Sequence, residues 1–158
     1  MPLHTYSMKA LPGFPELTGR RTRLRAPREG DAALLEGVVA DPAGYLAECV
    51  EFLAQGDRID WIVTTRRNDD AIGTCTLHHI DLRGRCAEIG YALHPAQRGQ
   101  GFATEAAAQA MAWATRVLGV TRFEADVDPG NHASERVLAR LGFARHPDDQ
   151  SRFVSGSR

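Results

Sequence analysis

Glu88-Ile89-Gly90-Tyr91-Ala92-Leu93-His94-Pro95-Ala96-Gln97-Arg98-Gly99-Gln100-Gly101-Phe102-Ala103-Thr104-Glu105 reads as an apolar strand, a proline stop, a glycine-bearing loop and the start of an alanine-rich helix. A loop that opens directly into a helix leaves the first backbone N–H groups without intrahelical partners. Those donors and the positive end of the helix dipole favour an anion. Gly99 and Gly101 remove side chains that would keep a diphosphate from the backbone, and they accept the positive φ of a cupped loop. The stretch predicts a phosphate cradle and a phosphorylated ligand.

Upstream, Arg21, Arg23 and Arg25 alternate with Thr22, Leu24 and Ala26, which predicts a strand with an arginine-lined face. That face suits solvent, or contact with an acidic substrate. Residues 1–19, with Pro2, Pro12, Gly13 and Pro15, read as an irregular arm. Asp31 to Val39 has an acidic first turn and helical apolar spacing, and Asp41-Pro42 breaks it. Tyr45, Leu46, Cys49, Phe52 and Leu53 predict a second helix ending near Gly56. The pair suits the cover of a substrate cleft or plain core packing. Ile59 to Thr65 and Ile72 to Ile80 flank turn residues Arg67 to Asp70, and Arg83-Gly84-Arg85 turns the chain into the Glu88 strand, giving three consecutive antiparallel strands.

Downstream, Ala103 to Leu118 predicts a helix stopped by Gly119, with Ala107, Met111, Ala114 and Leu118 as its core stripe. Phe123, Ala125 and Val127 alternate in a strand. Asp128-Pro129-Gly130 then turns into a helix from Asn131 to Gly142, and a short hairpin joins Phe143–Arg145 to Arg152–Val154. The 158 residues, without repeat or linker, fit one domain.

A net charge of -1 speaks against nucleic acid or an anionic membrane as the main partner, although the arginines from Arg20 to Arg28 keep a nucleic-acid reading open. No run approaches membrane-spanning length and no signal peptide is evident, so a cytoplasmic protein is expected. Cys49, Cys75 and Cys86 are irregularly spaced and imply no disulfide framework. Lys9, in the arm, is the only lysine, which argues against Schiff-base chemistry. Strand alternation puts Cys75 and His79 on one face and His78 on the other, so no metal site is expected.

Two rival loops fail. A dinucleotide-binding turn needs a glycine where Thr104 stands and further strand-helix-strand units, and a Walker-type loop needs a lysine with a serine or threonine. Arg98-Gly99-Gln100-Gly101-Phe102-Ala103 instead resembles the R/Q-x-x-G-x-G/A pyrophosphate loop of the GNAT superfamily of acyl-CoA-dependent N-acyltransferases. Asn131-His132-Ala133-Ser134 through Leu141-Gly142-Phe143 resembles its later helix motif. With Glu88-Ile89-Gly90-Tyr91 and Thr22-Arg23-Leu24-Arg25, the similarity is greatest to the bacterial RimJ/RimL-like branch, ribosomal-protein N-terminal acetyltransferases, over roughly Arg20 to Phe143.

The resemblance implies an α/β fold, with a mixed, mostly antiparallel sheet flanked by helices and strands splayed at the cofactor cleft. It implies acetyl-CoA as co-substrate, no metal, no covalent acyl-enzyme, a primary amine as acceptor, and a monomer or homodimer. Leu93 would pair its backbone with the pantetheine arm. Arg98, Gly99, Gln100, Gly101, Phe102, Ala103 and Thr104 would hold the diphosphate, with Asn131 as a further cofactor contact. Asparagine after Pro-Gly is also a good helix cap.

Glu88, the only carboxylate between Arg83 and Arg98, is the candidate general base, directly or through water, with burial expected to raise its pKa. It equally suits a strand-face carboxylate paired with an arginine. Ser134 is the candidate acid for the departing thiolate or a contact to the cofactor sulfur, because Leu138 stands where many members of the superfamily place a tyrosine. Tyr91 and His94 lie near the expected cleft without an assigned role. A second function class, a CoA-binding or regulatory module without catalysis, shares every one of these features except the use of Glu88 and Ser134. The acceptor is not selected among protein α-amines, lysines and small-molecule amines.

Overall fold

The structure is a computed structural model that describes residues 11–155. Its strands are β1 (Leu17–Thr18), β2 (Thr22–Arg25), β3 (Ile59–Thr65), β4 (Gly73–Asp81), β5 (Cys86–Leu93), β6 (Arg122–Asp126), β7 (Phe143–His146) and β8 (Asp149–Ser155). They form one open sheet in the order β1-β2-β3-β4-β5-β6-β8-β7. Every neighbouring pair is antiparallel except β5 with β6, which run parallel. The mixed sheet flanked by helices is the architecture expected.

Alternation along the central strands sends two apolar sets to opposite faces. Trp61, Val63, Cys75, Leu77, Ala87 and Ile89 are buried beneath α2 (Phe102–Trp113). On that helix Ala106, Ala107 and Ala110 are fully buried, and these small side chains let the helix sit close to the sheet. Trp113 packs edge-on against Trp61 with ring centroids 5.5 Å apart. The helical run ends at Leu118 before Gly119 at φ 73°, as expected, but its last five residues (Ala114–Leu118) widen into one π turn. Its buried stripe also runs through Ala106, Ala110 and Trp113, while Met111 is only partly buried. Ile62, Ala71 and Leu35 make a smaller core on the other face, under α1 (Pro42–Gln55). Asp41 caps α1 through a bond from the Gly44 N–H, and Gly56 at φ 84° ends it.

Three expectations upstream are corrected. The arm expected over residues 1–19 is not irregular to its end, since Leu17–Thr18 pairs with Leu24 and Arg23 as β1, and residues 1–10 lie outside the described residues. Residues 31–39 do not form an α-helix: a 3-10 segment runs over Glu29–Leu35, and Gly37 follows at φ 79°. The Asp31 carboxylate accepts from the Arg28 N–H and pairs with the Arg25 guanidinium at 2.7 Å. Nor is the arginine face of β2 solvated throughout, since the Arg25 side chain is only 2% exposed. Removing one partner of a buried ion pair costs more than the pair contributes, because a charge is left stranded. Asp69 also reaches Arg25, at 3.2 Å, and would soften that loss. Asp31→Ala is therefore expected to cost about 3 kcal/mol, the lower end for buried pairs. At roughly 2 to 4 °C per kcal/mol, a melting curve should fall by about 6 to 12 °C.

Arg21 and Thr22 brace the loop singled out in the sequence. The Arg21 guanidinium donates to the Gln100 carbonyl and stacks over the Phe102 ring at 4.5 Å. The Glu105 carboxylate accepts from the Arg21 N–H at 3.0 Å and from the Thr22 hydroxyl. The start of β2 thus fixes the first turn of α2.

Candidate active site

β5 and β6 stay in register only from Cys86 opposite Arg122 to Glu88 opposite Glu124. Beyond that pair they part, leaving one side of β5 unpaired from Ile89 to Leu93. The His94 N–H donates to the Ile72 carbonyl, toward β4. Main-chain direction alternates along a strand, so Leu93 and Tyr91 turn their N–H and C=O groups into the gap. Arg98 Nε donates to the Leu93 carbonyl at 3.3 Å and ties the loop to the end of β5.

The N-terminus of α2 opens beside this gap. No side chain among the described residues caps it, and its first intrahelical bond runs from the Glu105 N–H to the Gly101 carbonyl. The amides of Phe102, Ala103 and Thr104 precede that bond and point out of the helix end. By contrast, Asp41 caps α1, and Asn131 caps α3 (His132–Arg140). Gly99 at φ 77° and Gly101 at φ 85° shape the loop, and a Cβ at Gly99 would meet nothing among the described residues within 4 Å. A cleft of about 660 Å³ continues from this loop to α3.

Leu93, Arg98, Gly99, Gly101, Phe102, Ala103, Thr104, Asn131 and Ser134 all line that cleft. Gln100 does not line it: its side chain bonds the Ala96 carbonyl and its own carbonyl accepts from Arg21. Glu88 lies outside it as well. Arg136 and Arg140 also line the cleft, and sequence reading missed them. Their spacing of four on an amphipathic helix was the available signal. The outward-pointing amides and the guanidiniums of Arg98, Arg136 and Arg140 fit a phosphorylated ligand.

On α3, Asn131 Oδ1 accepts from the Ser134 N–H at 3.1 Å. Ser134 Oγ donates to the Tyr91 phenol oxygen at 3.2 Å, and that phenol donates to the Ser134 carbonyl at 3.2 Å. Tyr91, which the sequence left without a role, therefore holds Ser134 in the cleft. Burial pushes the Tyr91 phenol above its ordinary pKa, partly offset by its bond to Ser134, so it stays protonated. Leu138 is fully buried and presents no polar group. Asn131→Ala should remove the α3 cap at a cost of about 1 kcal/mol. Thermal unfolding should show it as a loss of about 2 to 4 °C.

Glu88 sits on the face of β5 away from α2. Its Oε1 accepts from Arg152 at 2.8 Å, while its Oε2 lies 2.8 Å from His78 Nε2 and 3.0 Å from His79 Nδ1. Arg152 also bonds Glu124 and Asp126. Burial alone would raise the Glu88 pKa, but the bonds from Arg152 and His79 and the charge of His78 outweigh it and hold the carboxyl below its ordinary range. That reverses the expected direction. The alternation argument for the histidines fails too, because the β4–β5 register shifts between His78 and Asp81 and His79 adopts φ 47°. The bulge turns His79 to the same side as His78. His94, at the other end of β5, lies 3.0 Å from the Leu34 carbonyl through Nε2 and anchors the 3-10 segment.

No helix among the described residues is long and apolar enough to cross a membrane. Similarity to known proteins agrees with the geometry. The chain is 34% identical over 87 residues to the uncharacterized N-acetyltransferase YoaA of Bacillus subtilis, covering 55% of this chain and 49% of that protein. It is 37% identical over 91 residues to the uncharacterized N-acetyltransferase p20 of Bacillus licheniformis, covering 58% of this chain and 50% of that protein. It therefore spans about half the length of these curated relatives. Mycobacterium smegmatis RimJ, solved in complex with CoA-disulfide, shares the fold with a TM-score of 0.72 at 21% identity, covering 89% of this chain and 83% of that one. The acetyltransferase (GNAT) domain model matches residues 21–144, and the chain belongs to that family.

Proposed function

We infer that the protein transfers an acetyl group from acetyl-CoA directly to a primary amine. The observation that carries this reading is the uncapped, glycine-shaped start of α2 facing the gap where β5 and β6 part. Arg98, Arg136 and Arg140 supply cations for the phosphates, and the inward-turned main chain of Leu93 offers hydrogen bonds to an amide-bearing arm. Acetyl-CoA supplies the activated thioester carbonyl; this chain's residues position it and manage protons. Ser134, oriented by Tyr91, turns its hydroxyl proton to the thiolate and regains one from water. Glu88 receives the ammonium proton, directly or through water. The strand face beside it is open, since among the described residues a Cβ at Gly90 would meet only His78 Cε1, at 3.8 Å.

A carboxylate held below its ordinary range is a weak base, which bears on the acceptor. An α-amine is roughly 10% neutral at pH 7, whereas a lysine amine is only about 0.04% neutral. An α-amine needs the least help from Glu88, so a protein or peptide N-terminus is the favoured acceptor, in keeping with the RimJ/RimL-like resemblance. The same saturation of Glu88 by three donors favours one second reading, a CoA-binding module without catalysis. Turnover of acetyl-CoA against free and N-blocked peptides and small amines tests both. Acetylation of free N-termini is expected, and binding without turnover on any amine would select the second reading.

A further inference from the structure

We propose that His78, His79 and Glu88 form a site for a borderline divalent transition-metal ion, best matched by Zn(II), on the sheet face away from α2. His78 Nε2, His79 Nδ1 and a Glu88 oxygen all lie within 4.8 Å of one another. Two imidazoles and a carboxylate make the ligand set of open four-coordinate zinc sites, whose fourth position holds water. Ca(II) and Mg(II) prefer shells built mainly of oxygen and suit this set poorly. Zinc bonds of roughly 2.0 to 2.2 Å place ligand atoms a little over 3 Å apart, so the side chains need only small rotations.

The backbone supplies the independent observation. In a regular strand His79 would point to the core face with Leu77, yet the chain breaks register and holds His79 at φ 47°. Strained dihedrals and bulges that re-aim a side chain concentrate at functional sites. Arg152 occupies Oε1 and leaves Oε2 to the metal, serving as the outer partner that orients a ligating carboxylate. Around the site the carboxylates of Glu88, Glu124, Asp126 and Asp60 exceed the guanidiniums of Arg152, Arg122 and Arg58 by one, which suits a cation. The His79 side chain is 75% exposed and provides an entry path. Binding requires each imidazole to carry its proton on its other ring nitrogen, so that both facing nitrogens present lone pairs; no electron is transferred.

Occupancy would also mask the Glu88 carboxylate. This consequence rests on the proposed acetyl transfer, whereas binding itself does not. The test titrates the reduced, CoA-free full chain with Co(II) and follows the visible bands of four-coordinate cobalt, then displaces the cobalt with Zn(II). Saturation at one equivalent is expected. His79→Asn, which tolerates the left-handed backbone, and His78→Gln should each weaken affinity by about 100-fold while melting like the wild type. Cys86→Ser should leave the spectrum unchanged. Absence of saturable binding, or equal binding in the double histidine variant, overturns the site. If the spectrum appears but no amine is acetylated, the metal site stands and the enzymatic reading falls. If amines are acetylated and Zn(II) slows wild type and His79→Asn equally, masking of Glu88 is refuted.

Discussion

Gly101→Val is expected to weaken acetyl-CoA binding by about 10- to 100-fold, the equivalent of about 1.4 to 2.7 kcal/mol. Gly101 occupies the left-handed region at φ 85° immediately before the three outward amides of α2. An L-residue there costs about 1 to 2 kcal/mol, and β-branching adds to it. A Cβ at this position would lie 3.6 Å from Arg21 Nη1, an ordinary contact, so the fold can accept the side chain. The loop cannot keep its curve as easily, and the branched side chain stands where the phosphates would approach the backbone. The melting point of the free protein should fall by only about 2 to 8 °C. Titration calorimetry separates the two effects. Unchanged affinity in a folded variant would remove the cradle from the account.

Glu88→Gln is expected to lower turnover by about 100-fold while leaving the acetyl-CoA affinity intact, because this side chain lies outside the cleft. The pH dependence of stability gives a second reading of the same variant. Burial pushes the Glu88 carboxyl up, and Arg152, His79 and His78 together bring it below its ordinary value. A carboxyl depressed in the folded state contributes stability that is present above its unfolded pKa and is lost as pH falls through its folded pKa. Wild type should therefore exceed Glu88→Gln in stability near neutrality, and the difference should shrink below about pH 4. Stability curves for the two proteins, measured from neutrality into acid, check the sign. Unaltered turnover on every acceptor would show that Glu88 is not the base.

The order of elements was legible because turns, proline stops and glycine caps punctuate the chain at Asp41-Pro42, Gly119 and Asp128-Pro129-Gly130. The glycine loop and helix start proposed as the cradle were legible for a local reason as well, since they are contiguous. What escaped depends on partners distant in sequence. Arg25 reads as a surface residue until Asp31 folds against it and Asp69 arrives from the β3–β4 turn. Alanine marks helix but not helix face, so the stripe of α2 through Ala106 and Ala110 had no periodic signal. Tyr91 gained a role only when α3 brought Ser134 beside it, 43 positions along the chain. The bulge at His79 carries no glycine or proline to announce it, and a period-two reading put that side chain on the wrong face.

Acetyl-CoA binding is tested most directly by the melting curve of the wild-type protein with saturating acetyl-CoA. A ligand at about a hundredfold excess over its Kd stabilises the state it binds by about 2.7 kcal/mol. At roughly 2 to 4 °C per kcal/mol, that is a rise of about 5 to 11 °C, expected also for Glu88→Gln and diminished for Gly101→Val. A wild-type curve indifferent to acetyl-CoA yet raised by NADH or ATP would contradict the account, leaving a phosphate cradle built for a different nucleotide.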